Sequence, residues 1–368
     1  MTPVALRAKR SVAALRLASQ QISASACTSP AEVVAHLTAM QAQDYRGALW
    51  SIGLRLPGST IADVERAIAG REIIRTWPMR GTLHFVAAGD VRWMLQLLAP
   101  RLVKGMAGRR RQLGLDDATI ARSRKAFAKA LRDGLSLTRD EMRAVLARAG
   151  IEASGARGYH VFAQLCQEGL LCFGAHRARQ PTFALLDEWV PAAPALAREE
   201  ALARLATRYF RGHGPATERD LAWWSGLNLG DVRASIALAK SSLVEQTLGG
   251  VRYFHARDAS GAPPAARAVY LLPGFDELLL GYTDRSATMD PAHARFVAPG
   301  GNGVFRPTIV SNGRVIGTWK AAVAKGSKVG VVVTPTTFAP LARADARALP
   351  AAVERYERFV LAPATERR

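Results

Sequence analysis

Apolar residues recur at helical spacing along most of the first 70 positions, and the pattern then changes to alternation. We predict helices over residues 4–24, from Pro30 to about Met40, over 46–54 and over 61–69. Ser29 and Glu32 have the spacing of a capping box at the start of the second helix. Residues 73–86 then alternate as two strands, interrupted at Pro78 and Gly81. Three helices followed by a two-stranded ribbon are the order of a winged helix-turn-helix.

The same order of elements recurs twice more without obvious residue identity. The predicted helices of these two copies cover residues 118–131, 159–168, 199–210 and 229–239, and their ribbons cover 170–186 and 243–255. Each copy also has a residue that can start a further helix, Thr138 with Glu141 in the second and Thr217 with Asp220 in the third. We therefore predict three tandem winged-helix modules.

From residue 266 onward the chain changes to short apolar runs that are separated by turn residues, and Asn312-Gly313 is a strong hairpin signal. This pattern predicts a small β-barrel or curved sheet, closed by a helix over 349–361 with Pro350 in its first turn. The predicted fold is α+β, with three tandem winged helix-turn-helix modules followed by a small β-barrel and a C-terminal helix. The predicted domains are 1–115 with the N-terminal helix and first winged helix, 116–190 with the second, 191–265 with the third, and 266–368 with the barrel and last helix.

The segment from Met40 to Gly47 places two glutamines and one acid between two apolar helices. Gln41 and Gln43 are separated by one residue, and a junction between packed helices is rigid enough to position a small group. The alternative is that the glutamines only cap the helix ends. Asp44 stands directly before a helix, where an acid is most often an N-cap.

The chain has 368 residues and a formal net charge of +20 at pH 7. Residues 1–115 hold 16 basic and 6 acidic side chains, which is half of that excess. A uniform compositional bias would not concentrate the charge in this way, so we predict a nucleic-acid partner, whose phosphates attract clustered Arg and Lys. The basic tract best placed for backbone contacts comprises Arg101, Lys104, Arg109, Arg110 and Arg111, although such a tract can also be a solvated face.

Three cysteines give no even disulfide framework, which predicts a protein of the reducing cytoplasm. Cys166, Cys172 and His176 lie among apolar residues, so core packing is a better interpretation than a metal site. Phosphate loops, metal-ligand clusters and nucleotide fingerprints are absent from the sequence, and we predict neither a cofactor nor a metal. The basic N-terminus does not fit a signal peptide, and no apolar run is long enough to span a bilayer.

Four stretches, taken together and in order, resemble one family, the AlkZ-like DNA glycosylases, which are also described as winged-helix DNA-binding domain proteins. These stretches are Gln41-Ala42-Gln43, the run from Thr76 to His84, the run from Leu271 to Arg285, and Gly303 to Pro307 together with Gly317-Thr318-Trp319. They extend over nearly the whole chain. The resemblance implies three winged helices and a β-barrel around a DNA channel.

The resemblance also implies the excision of alkylated purines, with bulky N7 adducts and interstrand crosslinks among the substrates of the class. The paired-glutamine motif of the family maps onto Gln41 and Gln43, which we predict to be catalytic. A sister branch has an acid at the second of these positions, so Gln43 argues for the AlkZ-like branch even though Asp44 follows it directly.

Glutamine is neither a general acid nor a general base. An N7-alkylated purine is already cationic and leaves without protonation, so two amides that orient water and offer dipoles to developing charge are sufficient. Asp44 and His84 are possible auxiliary groups, although a lone histidine in a strand is usually structural. The predicted DNA contacts outside the basic tract are Arg46, Arg80 and Thr82.

Asp276 and Glu277 are adjacent in sequence and would point to opposite faces of a strand, so we predict a salt-bridge role for them rather than a catalytic pair. A non-catalytic winged-helix protein, such as a transcription regulator, is the alternative function, because it would need the same modules and the same charge. The predicted partner is double-stranded DNA with alkylated purines. We further expect a monomer that is cytoplasmic, associated with the nucleoid and without contact to membranes.

Overall fold

The computed structural model describes residues 3–178, 180–258, 268–301, 303–323 and 330–362. The chain forms two compact units, the first from residues 1–64 with 202–368 and the second from residues 65–201. The chain passes between the units after residue 64 and after residue 201, inside the first and the third predicted domains. The predicted boundary at residue 265 lies outside the described residues, and the division into four domains stays a prediction.

The N-terminal segment has the helices predicted for it, in the predicted order. Its elements are α1 (Pro3–Ser19), α2 (Pro30–Leu37), β1 (Met40–Gln41), α3 (Tyr45–Arg55) and α4 (Ile61–Ala69). The Ser29 side chain caps α2 by accepting a hydrogen bond from the Glu32 N–H at 3.2 Å, and the Glu32 carboxylate accepts one from the Thr28 N–H at 2.7 Å. The predicted end of α2 at Met40 is wrong, because Thr38 adopts a φ of 70° and ends the helix there.

The second unit contains most of the elements of the first two predicted modules. They are β2 (Ile73–Met79), β3 (Thr82–Ala87), α5 (Val91–Gly105), α6 (Ala107–Gln112), α7 (Asp117–Ala130), β4 (Leu137–Thr138), α8 (Arg139–Arg148), α9 (Gly155–Gln167), β5 (Leu171–Phe173), β6 (Thr182–Leu185) and α10 (Leu186–Trp189). Within this unit the strands pair in the order β3-β2-β5-β6-β4. The two predicted ribbons are therefore not separate wings, because β2 pairs with β5 through Arg75 and Phe173.

Aromatic rings fill the core of the second unit. Phe127, Phe162, Phe173 and Phe183 are buried together with Trp77, and the centroids of the Phe173 and Phe183 rings are 4.5 Å apart. Cys166 and Cys172 are also buried, which confirms the predicted packing role. Burial raises the pKa of both thiols, so they stay protonated and unreactive at neutral pH.

The first unit continues with a helical segment and a hairpin. Its elements are α11 (Arg198–His213), α12 (Glu218–Ser225), α13 (Leu229–Leu238), β7 (Leu243–Leu248) and β8 (Val251–Ala256). Thr217 and Asp220 form the predicted capping box at the start of α12. The hairpin of β7 and β8 matches the third predicted ribbon.

The last part of the first unit is an antiparallel sheet with short helices in its connections. Its elements are β9 (Val269–Leu272), α14 (Glu277–Leu280), α15 (Ala294–Val297), β10 (Thr308–Ser311), β11 (Arg314–Val323), β12 (Val331–Thr337) and α16 (Arg343–Leu361). The strand order is β12-β11-β10-β9. Gly313 forms the predicted hairpin turn with a φ of 76°.

Of the two predicted forms, a small β-barrel or a curved sheet, the described residues form no closed barrel, since β9 and β12 are the two ends of an open sheet. Two carbonyl groups of β9 accept hydrogen bonds from tryptophan side chains. The Leu271 carbonyl accepts one from the Trp50 indole N–H at 2.6 Å, and the Leu272 carbonyl accepts one from the Trp319 indole N–H at 2.8 Å. Helix α16 packs on β9 and begins at Arg343, so Pro350 lies inside the helix rather than in its first turn. Among the described residues, no helix combines the length and apolar character that crossing a membrane requires.

Candidate active site

The junction that carries the two glutamines consists of β1 and the start of α3. The Asp44 carboxylate caps α3 by accepting a hydrogen bond from the Gly47 N–H at 3.2 Å, and Thr38 occupies the C-cap position of α2. Neither Gln41 nor Gln43 therefore occupies a cap position of these helices. The alternative interpretation, in which the glutamines only cap helix ends, does not fit this geometry.

Residues 40 to 43 alternate between core positions and less buried positions. Met40 is 1% exposed and Ala42 is 0% exposed, whereas Gln41 is half-buried and Gln43 is exposed. The strand ends at Gln41, and Gln43 lies in the bend that leads into α3. Both glutamines are thus less buried than Met40 and Ala42, which belong to the core.

A buried carboxylate holds the backbone of Gln41. The Gln41 N–H donates to Glu277 Oε1 at 3.0 Å, and Glu277 Oε2 accepts a hydrogen bond from the Trp224 indole N–H at 2.9 Å. The same oxygen lies 3.4 Å from His213 Nε2. Glu277, Trp224 and His213 are all at most 1% exposed. Reasoning from the sequence missed this contact, because 236 positions separate Gln41 from Glu277.

The neighbouring acid, Asp276, fixes the helix that follows the glutamines. Its two carboxylate oxygens accept hydrogen bonds from the Arg55 guanidinium at 2.8 and 2.9 Å, and the Ser51 hydroxyl donates to it at 2.7 Å. The predicted salt-bridge role of Asp276 is confirmed. The assumption of a strand is wrong, however, because Asp276 is the N-cap of α14 and Glu277 is its first residue.

The predicted contacts at the tip of the ribbon lie in the second unit. His84 is fully buried, its Nδ1–H donates to the Thr82 carbonyl at 2.9 Å, and its Nε2 accepts a hydrogen bond from Arg80 at 3.1 Å. His84 is therefore part of the packed interior, which fits the interpretation of a lone strand histidine as structural. Arg80 is half-buried with a φ of 55° and Gly81 has a φ of 70°, so together they form the turn between β2 and β3. If His84 has an auxiliary role, it acts by holding the Arg80 side chain in place.

The predicted basic tract forms two adjacent helical surfaces of the second unit. Arg101 and Lys104 are exposed on α5, and α6 carries Arg109, Arg110 and Arg111. Arg110 donates to the Val103 carbonyl at 2.7 Å, which ties the two helices together.

The positive potential of this tract acts on its neighbours. The pKa of His160 is lowered by burial and by the positive charges of Arg109 and Arg110. A cleft of about 680 Å³ in the second unit is lined by Lys104 and Arg110 and not by the glutamines. Arg46, in the first unit, is exposed in the first turn of α3, three residues after Gln43.

Among the described residues, no group of three or more His, Cys, Asp or Glu side chains could hold a metal ion.

Comparison with known proteins identifies the family of this chain and agrees with its mixed helix-and-sheet fold. Residues 34–359 match the family model described as DNA glycosylase AlkZ-like. The chain is 28% identical over 326 residues to an interstrand DNA cross-link repair glycosylase of Streptomyces sahachiroi, and the match covers 84% of this chain and 87% of that protein. The solved structure of Streptomyces sahachiroi DNA glycosylase AlkZ is similar with a TM-score of 0.78 at 26% identity, over 95% of this chain and 96% of that one. This chain thus belongs to the AlkZ-like DNA glycosylase family.

Proposed function

We propose that this DNA glycosylase hydrolyses the N-glycosidic bond of cationic N7-alkylated purines in double-stranded DNA, including bulky adducts and interstrand crosslinks. The observation that carries the proposal is the position of Gln41 and Gln43 at the junction between α2 and α3, where both are less buried than Met40 and Ala42. The similarity to an interstrand DNA cross-link repair glycosylase supports the substrate class.

The residues present at the junction suit a substrate that brings its own positive charge. A neutral purine is a poor leaving group and needs a proton donor, which an amide side chain is not. Alkylation at N7 makes the base cationic, so the remaining requirements are a positioned water and stabilisation of the developing charge on the sugar. The amide oxygens of Gln41 and Gln43 can orient that water and place the negative ends of their dipoles near the sugar.

Asp44 has a defined structural role beside the two amides. Because its carboxylate accepts the Gly47 N–H, it fixes the start of α3 and the direction in which Gln43 leaves the segment. We assign Asp44 to positioning and to the electrostatics of the site rather than to proton transfer.

The DNA backbone would be bound by basic side chains of both units. We assign phosphate contacts to Arg46, Arg80, Arg101 and Lys104, to the three arginines of α6, and more weakly to Thr82. Replacing Arg109, Arg110 and Arg111 with glutamine should lower the slope of log binding constant against log salt concentration by about one unit for each lost phosphate contact. We further propose that the protein acts as a monomer in the cytoplasm, at the nucleoid.

The test measures the release of N7-methylguanine from duplex DNA under single-turnover conditions, together with alkali-induced breaks at the abasic sites. Gln41→Ala and Gln43→Ala should each release the base about 100-fold more slowly than the wild type, because each loses a group that positions the reactants. Gln180→Ala, which changes an exposed glutamine of the second unit, is the control.

Wild-type rates in both glutamine variants, and in the double variant, would refute the assignment. Tight binding to undamaged DNA without any base release from alkylated DNA would refute the proposed substrate.

A further inference from the structure

Glu277 is buried and ionisable, and it plays no part in the chemistry described above. Its side chain is 1% exposed, and desolvation of a carboxylate costs several kcal/mol unless hydrogen bonds and charges compensate for it. The donors that compensate come from three separate parts of the first unit: the Gln41 N–H, the Trp224 indole on α12 and His213 at the end of α11. We propose that Glu277 is a positioning residue that holds the backbone of Gln41 in its catalytic geometry.

Aromatic packing holds His213, one of the partners of the Glu277 carboxylate, in place. The His213 ring stacks on Tyr209 with centroids 4.7 Å apart and an angle of 10° between the planes. The Tyr209 hydroxyl donates to the Gly281 carbonyl at 2.7 Å, at the end of α14. A Cβ atom at Gly281 would lie 2.7 Å from the His213 ring, so only glycine leaves room for this arrangement. Glu277 can therefore adjust little when a substrate pulls on Gln41.

The hydrogen bond from the Gln41 N–H to Glu277 is important because β1 is short. β1 has only two residues, so a ladder of backbone hydrogen bonds can involve few of its groups. A charge-assisted hydrogen bond to a carboxylate is about twice as strong as a neutral one, so Glu277 fixes the peptide N–H of Gln41 more firmly than a backbone carbonyl would. The side chain of Gln41 leaves from the next atom of the same backbone, and a displacement of about 1 Å there is enough to slow a reaction about 100-fold.

The two oxygens of Glu277 allow a specific test, which rests on the proposed function of Gln41. In Glu277→Gln the amide has a single acceptor oxygen. If that oxygen faces the Gln41 N–H, the new NH₂ group faces the Trp224 N–H, so two donors confront each other. Trp224→Phe removes this opposing donor, and His213 can accept a hydrogen bond from the new NH₂ group through Nε2 when its proton is on Nδ1. The double variant Glu277→Gln/Trp224→Phe should therefore regain the hydrogen bond to Gln41.

The experiment measures the single-turnover rate of N7-methylguanine release, the Kd for the same DNA, and the Tm of each variant. We expect Glu277→Gln to release the base about 10- to 100-fold more slowly with Kd unchanged, and the double variant to regain about 10-fold. Trp224→Phe alone should be slowed less than Glu277→Gln. The matched control is Asp90→Asn, since Asp90 also accepts a hydrogen bond from an indole, that of Trp93 at 2.9 Å, but lies in the second unit.

A role in stability alone predicts that the double variant is no faster than Glu277→Gln, and this result would overturn the inference. Hydrogen exchange of the Gln41 amide in the wild type gives a second measurement that does not depend on the folding of any variant. We expect this amide to be protected, and exchange as fast as that of an exposed amide would also overturn the inference.

Gln41→Ala, measured in parallel, separates this inference from the proposed function. A wild-type rate in Gln41→Ala would remove the assignment of Gln41, and the inference with it. A slow Gln41→Ala together with a fully active Glu277→Gln would remove only the role of Glu277.

Discussion

The ion pair of Arg55 with Asp276 offers a sharp test of how the first unit is held together. The two side chains are 0% and 1% exposed, and their closest atoms are 2.8 Å apart. The Ser51 hydroxyl and the Leu278 N–H also donate to the same carboxylate. Asp276→Asn keeps the size of the side chain but leaves the Arg55 guanidinium as a buried, uncompensated charge.

The magnitude follows from this burial. Removing one partner of a buried pair costs about 3–5 kcal/mol, because the remaining charge has lost both its partner and its hydration. For a unit of about 230 residues, each kcal/mol lowers the Tm by roughly 2–4 °C. We therefore expect Asp276→Asn to lower the Tm of the first unit by roughly 6–20 °C.

The assay is thermal unfolding followed by circular dichroism, repeated in urea to obtain the free energy of unfolding. The matched control is Asp258→Asn, since Asp258 pairs with Arg211 at the same distance of 2.8 Å, but with side chains that are 65% and 41% exposed. An exposed pair contributes about 0–1 kcal/mol. If the two variants lost the same stability, the argument from burial would be refuted.

Two further predictions concern local features of the fold. Thr138→Ala removes the side chain that accepts a hydrogen bond from the Glu141 N–H in the capping box of α8. In a urea titration, the free energy of unfolding should fall by about 1 kcal/mol. An unchanged free energy of unfolding would contradict the role of the cap. Burial lowers the pKa of His36 below its ordinary value of 6.5, aided by the positive charges of Arg55 and Arg211, so the folded protein binds this proton less readily than the unfolded chain does. The contribution of neutral His36 to stability is present above pH 6.5 and is lost as the pH falls through its folded-state pKa. The Tm of His36→Gln should therefore fall less on acidification than the Tm of the wild type. If both Tm values fell in parallel, other groups would cause the loss of stability in acid.

Local signals predicted the helices and the turns of the chain well. Ser29, Thr138 and Thr217 all cap the helices that the sequence assigned to them, because a cap depends on residues three positions apart. Asn312-Gly313 forms its turn for the same local reason. The ends of elements were less predictable: Thr38 stops α2 with a positive φ that nothing in its residue type indicates.

Contacts between distant positions could not be predicted from local patterns. Two consecutive carbonyls of β9 accept hydrogen bonds from the indoles of Trp50 and Trp319, and the local sequence around β9 gives no sign of these partners. Helix α5 is not among the predicted helices, although Val91, Leu95 and Leu98 give it an apolar face at helical spacing. Gln41 and Gln43 were identified through the family resemblance, whereas the buried carboxylate behind Gln41 required the structure.

The central claim is that two amides act by position and dipole on a base that is already cationic. No group of the site then needs to gain or lose a proton, so the pH dependence of the rate tests the claim most directly. The measurement is the single-turnover rate of N7-methylguanine release from duplex DNA between about pH 6.5 and about pH 8.5. We expect a rate that changes by less than about 2-fold over this range. A rate that changes about 10-fold per pH unit, along the titration of one group, would contradict the account and assign the chemistry to an acid or base.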